Sequence, residues 1–141
     1  MYKEILQIIE KRSTCVRLKV AAILVKDDRI ISTGWNGTPS KHKHCSEIFE
    51  GKDSEYIKAH HAEFSKNNEL HGEQNCIAWA ARTGIKTEGS TMFISYSCCT
   101  ACAKLIIAAG IKKVYYIKEY DREPEGIDLL KSSGIEIKQL D

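Results

Sequence analysis

The chain has 141 residues, 43% of them hydrophobic and 28% charged, and a formal net charge of +2. That balance is the one expected of a soluble single domain with room for a proper core, and it gives no push towards nucleic acid or a membrane surface. No apolar run approaches the ~20 residues of a membrane span.

The predicted elements follow in chain order. Ile5, Leu6, Ile8 and Ile9 make an apolar face, so Tyr2 to Lys11 is expected to be a helix on the core. Glu4 and Glu10 within this stretch argue against a secretory signal. Six cysteines in a chain without such a signal point to a reducing compartment, the cytoplasm, with thiols kept for a metal or the core. Val20 to Val25 reads as a buried strand, Lys26-Asp27-Asp28 as its turn, and Arg29 to Trp35 as the returning strand. Asn36-Gly37-Thr38-Pro39 is a turn-rich loop. The stretch at about 40–70 has no clear periodicity and is expected to be an irregular insertion. It holds His42, His44, His60 and His61 with several lysines. Asn75 to Arg82 is helical in composition with Gly84 as its stop, and Cys76 and Trp79 are expected to be core. Ser90 to Ser95 is a strand, Thr100 to Ala109 a helix ending near Gly110, and Lys113 to Ile117 a strand. Glu125 to Ser132 is a helix and Ile135 to Lys138 a last strand. This order fits an α/β fold: a three-layer α/β/α sandwich around a mixed five-stranded sheet, one domain over residues 1–141.

The chemistry concentrates in two short stretches, His71-Gly72-Glu73-Gln74-Asn75 and Ser97-Cys98-Cys99-Thr100-Ala101-Cys102. Catalytic zinc takes three protein ligands and keeps a fourth position for water. His71, Cys99 and Cys102 supply three. Cys99 and Cys102, three apart, project about 60° from one another on a helix, and a helix start favours thiolate over thiol. His71 and Glu73 would be about 200° apart on a regular helix. Both therefore reach one metal only if His71 stands at the helix edge. Glu73 is then the free carboxylate. Two thiolates cancel the charge of the ion and acidify bound water less than three imidazoles would. A nearby base is needed, and Glu73 would move protons from that water to the substrate and the departing amine. Competing readings of the C-x-x-C are a structural clamp, which wants a fourth ligand, and a redox pair, which has no use for His71-x-Glu73.

A His, a Glu two residues on and a later C-x-x-C resemble the zinc nucleobase deaminases, although Cys98 stands where that pattern has Pro. A packed cysteine outside the ligand set is the plainer reading of Cys98. The Gly34-Trp35-Asn36-Gly37 loop and the run from Ala109 to Val114 into Glu119-Tyr120-Asp121 narrow the likeness. The chain resembles the deoxycytidylate (dCMP) deaminases of the cytidine deaminase superfamily, above all the short viral and bacterial members. The resemblance implies hydrolysis of dCMP to dUMP and ammonia for thymidylate synthesis, in the cytoplasm (the host's, if viral). It also implies a homohexamer activated by dCTP and inhibited by dTTP, with Mg2+ accompanying the effector. Carried over by position, His71, Cys99 and Cys102 hold Zn2+, Glu73 is catalytic, Asn36 bonds the sugar and Tyr120 lies near the phosphate. Without the resemblance, Asn36 reads as a turn residue and Tyr120 as packing. Some relatives carry a second, structural zinc, whose matching positions are Cys15, Cys45, His61 and Glu69. No local spacing supports that set, and a core Cys15 with surface loop residues is the alternative. Arg82 reads as an interface or effector contact, or as a solvated helix-end cation. Two other functions compete. A deaminase of tRNA adenosine, guanine or single strands would show a basic or aromatic face. A non-enzymatic zinc module would make Glu73 dispensable.

Overall fold

The computed structural model describes residues 1–141. Helix α1 (Tyr2–Ile9) runs into a short 3-10 turn at Glu10–Arg12. Strands β1 (Ala21–Lys26) and β2 (Arg29–Trp35) form an antiparallel hairpin. Its two-residue turn puts Asp27 at φ 51° and Asp28 at φ 60°, the left-handed pair that matches the twist of the flanking strands. Then come α2 (Cys45–Ile48), α3 (Ser54–Asn68), α4 (Gly72–Arg82), β3 (Thr91–Tyr96), α5 (Thr100–Ala108), β4 (Lys113–Lys118), α6 (Glu125–Ser132) and β5 (Glu136–Gln139). The five strands form one sheet in the order β2-β1-β3-β4-β5. β1 is antiparallel to both neighbours, while β3, β4 and β5 are parallel. Parallel neighbours need a helical crossover, and α5 and α6 are those crossovers.

The sheet is buried on both faces, which is why β1 reads as a continuous apolar run. Ala21, Ile23 and Val25 pack with Phe93 against Leu6 of α1. Ala22 and Leu24 face the other way, with Met92, Ile94 and Val114, onto Cys76 and Ala80 of α4, Ile106 of α5 and Leu130 of α6. This is the expected mixed sheet between two helical layers. No helix is long and apolar enough to cross a membrane.

Three expectations need correction. First, the stretch at 40–70 is not irregular: α3 alone spans 15 residues, capped by Asp53, whose carboxylate accepts the Tyr56 N–H at 2.8 Å. Ile57 and Phe64 pack against Cys15, Cys45 and Phe49, with His61 between them beside Phe49. A seam interrupted by a histidine carries too little apolar periodicity to be seen. Second, Trp79 is not core. It is 51% exposed beneath the Arg82 guanidinium. The buried stripe of α4 is Gly72, Glu73, Cys76 and Ala80, narrow because the helix lies tight on β2, so Trp79 falls outside. Third, Ile8 is 65% exposed, and α1 packs through Leu6 with Ile5 and Ile9.

The tight seat of α4 depends on Gly34. A Cβ there would run into the backbone nitrogen of Cys76 and meet the Gly72 carbonyl oxygen at 2.6 Å. Gly126 of α6 does the same for the cysteine segment, since a Cβ at that position would overlap the Cys98 carbonyl.

Candidate metal centres

Helix α4 starts where the chain leaves an extended residue: His71 is its N-cap, with φ −76° and ψ 159°. The His71 N–H donates to Gln74 Oε1 at 2.8 Å, which fixes this first turn. The imidazole therefore stands off the helix while Glu73, one position inside, turns into the protein and is 4% exposed. Two bonds to β2 hold the helix in place: Asn75 Nδ2 donates to the Trp35 carbonyl and Ser32 Oγ to the Cys76 carbonyl, both at 2.7 Å.

Helix α5 starts the same way. Cys99 is its N-cap, with φ −73° and ψ 171°, and Cys102 lies within its first turn. The helix start is as expected, but Cys99 stands just before the regular turn rather than on it. His71 Nδ1 lies 3.2 Å from Cys102 Sγ and 3.5 Å from Cys99 Sγ. The three donor atoms all lie within 4.8 Å of one another. A tetrahedral zinc at ~2.0–2.3 Å from each donor sets neighbouring donors roughly 3.5 Å apart, so this set fits the ion in chemistry and spacing. Both thiols are buried and His71 is exposed, so the site opens on the imidazole side.

The electrostatics suit a cation. The Cys99 thiolate is held down to about 4 by a hydrogen bond from Cys102 and by His71, against the cost of burial. The Cys102 proton is correspondingly held on, first by that bond and then by burial. The bond with Cys99 also raises the His71 pKa. Burial raises that of Glu73, whose carboxyl lies outside the three-donor set. Cys98 also lies outside it, 1% exposed, its thiol pushed up to about 12 by burial.

The fold gathers a second set that no spacing rule could have found. Cys15, Cys45, His61 and Glu69 bring four donor atoms within 4.8 Å of one another. Cys15 Sγ lies 3.3 Å from His61 Nε2 and 3.9 Å from Glu69 Oε1, and His61 Nε2 lies 3.4 Å from that same oxygen. The Glu69 side chain is 2% exposed, and its Oε2 is buried with no hydrogen-bond partner. A buried carboxylate oxygen among thiols with nothing to bond is what a cation would satisfy. Burial pushes the Cys45 thiol up to about 12.

The remaining candidates are spread around these centres. Asn36 Oδ1 accepts the Val20 N–H at 2.9 Å and its Nδ2 donates to the Leu18 carbonyl at 2.8 Å. One amide hydrogen and one lone pair are left for a ligand. The Tyr120 N–H donates to Ser97 Oγ at 2.6 Å, which ties that residue to the start of the cysteine segment. Arg82 is exposed at the far end of α4. Glu123 was not singled out by sequence. Its carboxylate accepts the Thr100 N–H at 3.4 Å and its charge reaches His71. Only the path of the loop before α6 could reveal it. Two shallow clefts, one by the hairpin turn and one between Thr38 and Asn68, do not include the His71 set.

Comparison with known proteins agrees with this geometry. The cytidine and deoxycytidylate deaminase zinc-binding region matches residues 1–118. The deoxycytidylate deaminase of Enterobacteria phage T4 is 35% identical, over 95% of this chain and 85% of that protein. ComE operon protein 2 of Bacillus subtilis is also 35% identical, over 92% of this chain and 64% of that protein. The crystal structure of dCMP deaminase from the cyanophage S-TIM5, in complex with dCMP and dUMP, superposes with a TM-score of 0.82 at 37% identity. That match covers 99% of this chain and 93% of the other. With three donors gathered at two helix starts and a buried glutamate beside them, the chain belongs to the cytidine and deoxycytidylate deaminase zinc-binding family.

Proposed function

We propose that this protein is a zinc-dependent dCMP deaminase that converts dCMP and water to dUMP and ammonia. One observation carries the reading: a buried carboxyl, Glu73, stands two residues from the His71 donor in the same helix start without being one of the three donors. A structural clamp has no use for that arrangement. The choice of substrate draws on the activities named for the phage relatives.

His71, Cys99 and Cys102 would hold the zinc, and the family likeness and donor chemistry support that assignment. When bound, the zinc would supply a Lewis acid that acidifies a water for attack on the cytosine ring. Glu73 would take one proton from the attacking water and hand it to the ring nitrogen, then take the proton of the new C4 hydroxyl and deliver it to the amine as the C–N bond breaks. Its burial supports this role twice. Burial raises the carboxyl pKa, the direction needed by a group that both takes and gives a proton near neutral pH. It also keeps bulk water from that proton. Asn36 and Tyr120 contact the sugar and the phosphate side of the substrate. Cys15, Cys45, His61 and Glu69 form a closed set of four around a second, structural zinc, as the unpartnered Glu69 Oε2 favours.

The reading extends, on family likeness, to a homohexamer in the cytoplasm. It is activated by dCTP and inhibited by dTTP, with Mg2+ accompanying the effector, and residues 1–141 act as one catalytic domain. The test is a deamination assay on dCMP, dCTP, deoxycytidine and a short single strand, each with and without dCTP or dTTP. Preference for dCMP supports the proposal. Preference for the nucleoside or the polymer overturns the substrate assignment and leaves the chemistry standing.

A further inference from the structure

Glu69, Leu70 and His71 are consecutive, and each is gripped by a different part of the molecule. The Glu69 carboxyl lies in the four-donor set. Leu70 is held through its backbone: its N–H donates to the Gly37 carbonyl at 2.8 Å and its carbonyl accepts the Gly37 N–H at 3.1 Å. The His71 imidazole lies in the three-donor set. Asn36, next to Gly37, is bonded to Leu18 and Val20, a short step along the chain from Cys15, whose sulfur faces Glu69 Oε1. The connections close a circuit from Cys15 through Leu18 and Val20, Asn36, Gly37, Leu70 and Glu69 back to Cys15. The expected zinc ligand His71 and the expected sugar contact Asn36 both hang from it.

We infer that Glu69 is a positioning residue for the catalytic centre: a cation on Cys15, Cys45, His61 and Glu69 fixes the backbone that aims His71 and Asn36. The inference rests on the reading that both donor sets hold zinc. Without a cation, Glu69 buries a carboxylate oxygen that nothing satisfies, beside two thiols. Burying that charge unpaired costs more than the two backbone bonds of Leu70 return. The carboxyl then leaves its place. Only Leu70 separates it from His71, so the imidazole and the Asn36–Gly37 loop move with it. With the cation bound, the strap is tight and the three-donor set is preformed.

The test uses the zinc-loaded protein and two variants, Glu69→Gln and Cys45→Ser. Ile23→Ala serves as a control that opens a cavity against α1, on the opposite face of the sheet. Zinc per chain is counted, folding is checked by circular dichroism, and the release of zinc to a chromogenic chelator is timed. The expected result is two zincs in the parent and one in each variant. The remaining zinc should leave at least ~10-fold faster than from the parent's catalytic set, the size known for lost outer-shell support. Release from Ile23→Ala should stay at the parent rate, which a merely structural role for Glu69 would not produce. If the variants hold one zinc and release it at the parent rate, the second zinc stands and the positioning role falls. If the parent holds only one zinc, both fall together. Returning zinc stepwise to metal-depleted parent protein asks the same question without a variant. Filling the Cys15 set raises the affinity of the His71 set at least ~10-fold if the strap couples them, and unchanged affinity overturns the inference.

Discussion

The two clusters share two thiols and an imidazole and differ in whether a carboxylate joins them as a fourth donor. Around Cys15 there are four, one of them a carboxylate, all within 4.8 Å of one another. Around His71 there are three, and the local carboxyl, Glu73, is buried in the first turn of α4 but kept out of the donor set. Backbone placement makes the difference. Glu69 follows α3 in extended conformation, with φ −105° and ψ 138°, and its side chain completes the set. Glu73 sits inside the first turn of α4, where helical rotation carries it away from the imidazole of His71. A closed set can stabilise a fold; an open one can also do chemistry.

Replacing single donors tests this comparison most severely. Cys102→Ser is expected to abolish deamination and remove one zinc while leaving the second set loaded; residual turnover in a zinc-depleted variant would count against the open set. Cys15→Ser is expected to act on stability first. Losing a structural metal should cost on the order of 3 kcal/mol or more, read as a lower urea midpoint. A variant as stable as the parent would mean that the Cys15 set is not a clamp. Gly34→Ala sharpens the contrast, because its Cβ collides with the backbone of α4 and not with the Cys15 set. It should cost about 1–3 kcal/mol and lower turnover while both zincs stay bound. Trp79→Ala removes an exposed ring remote from both sets and should change stability by less than about 0.5 kcal/mol. A larger loss, measured by thermal unfolding, would show that another surface covers this ring.

How much could be read in advance depended on whether the signal was local. Helical rotation alone put His71 at the edge of α4, and the structure has it as the N-cap. The Cys pair opens α5 as its composition suggested, and the mixed five-stranded sheet follows from the order of strands and helices, while the strand order β2-β1-β3-β4-β5 came from the structure. What escaped was distributed. The helix α3 buries a seam containing His61, so its period is masked. The Cys15 set draws on three separate segments, the loop before β1, the start of α2 and α3 with its C-cap, and likeness to relatives, not spacing, suggested it. The double bonding of Asn36 and the reach of Glu123 to α5 depend on loop paths that no pattern encodes. Trp79 was misread because an apolar residue near a buried one was assumed to share its face, whereas small residues made that face narrow.

The central claim is that an open three-donor metal set works with a glutamate that binds no metal. Glu73→Ala in the zinc-loaded protein tests it most directly, with zinc content and dCMP turnover measured on the same sample. The expected result is unchanged zinc and turnover at least ~100-fold lower, the usual size of a lost general acid/base. Unchanged zinc with unchanged turnover would contradict the account, because the buried carboxyl would then have no part in the reaction.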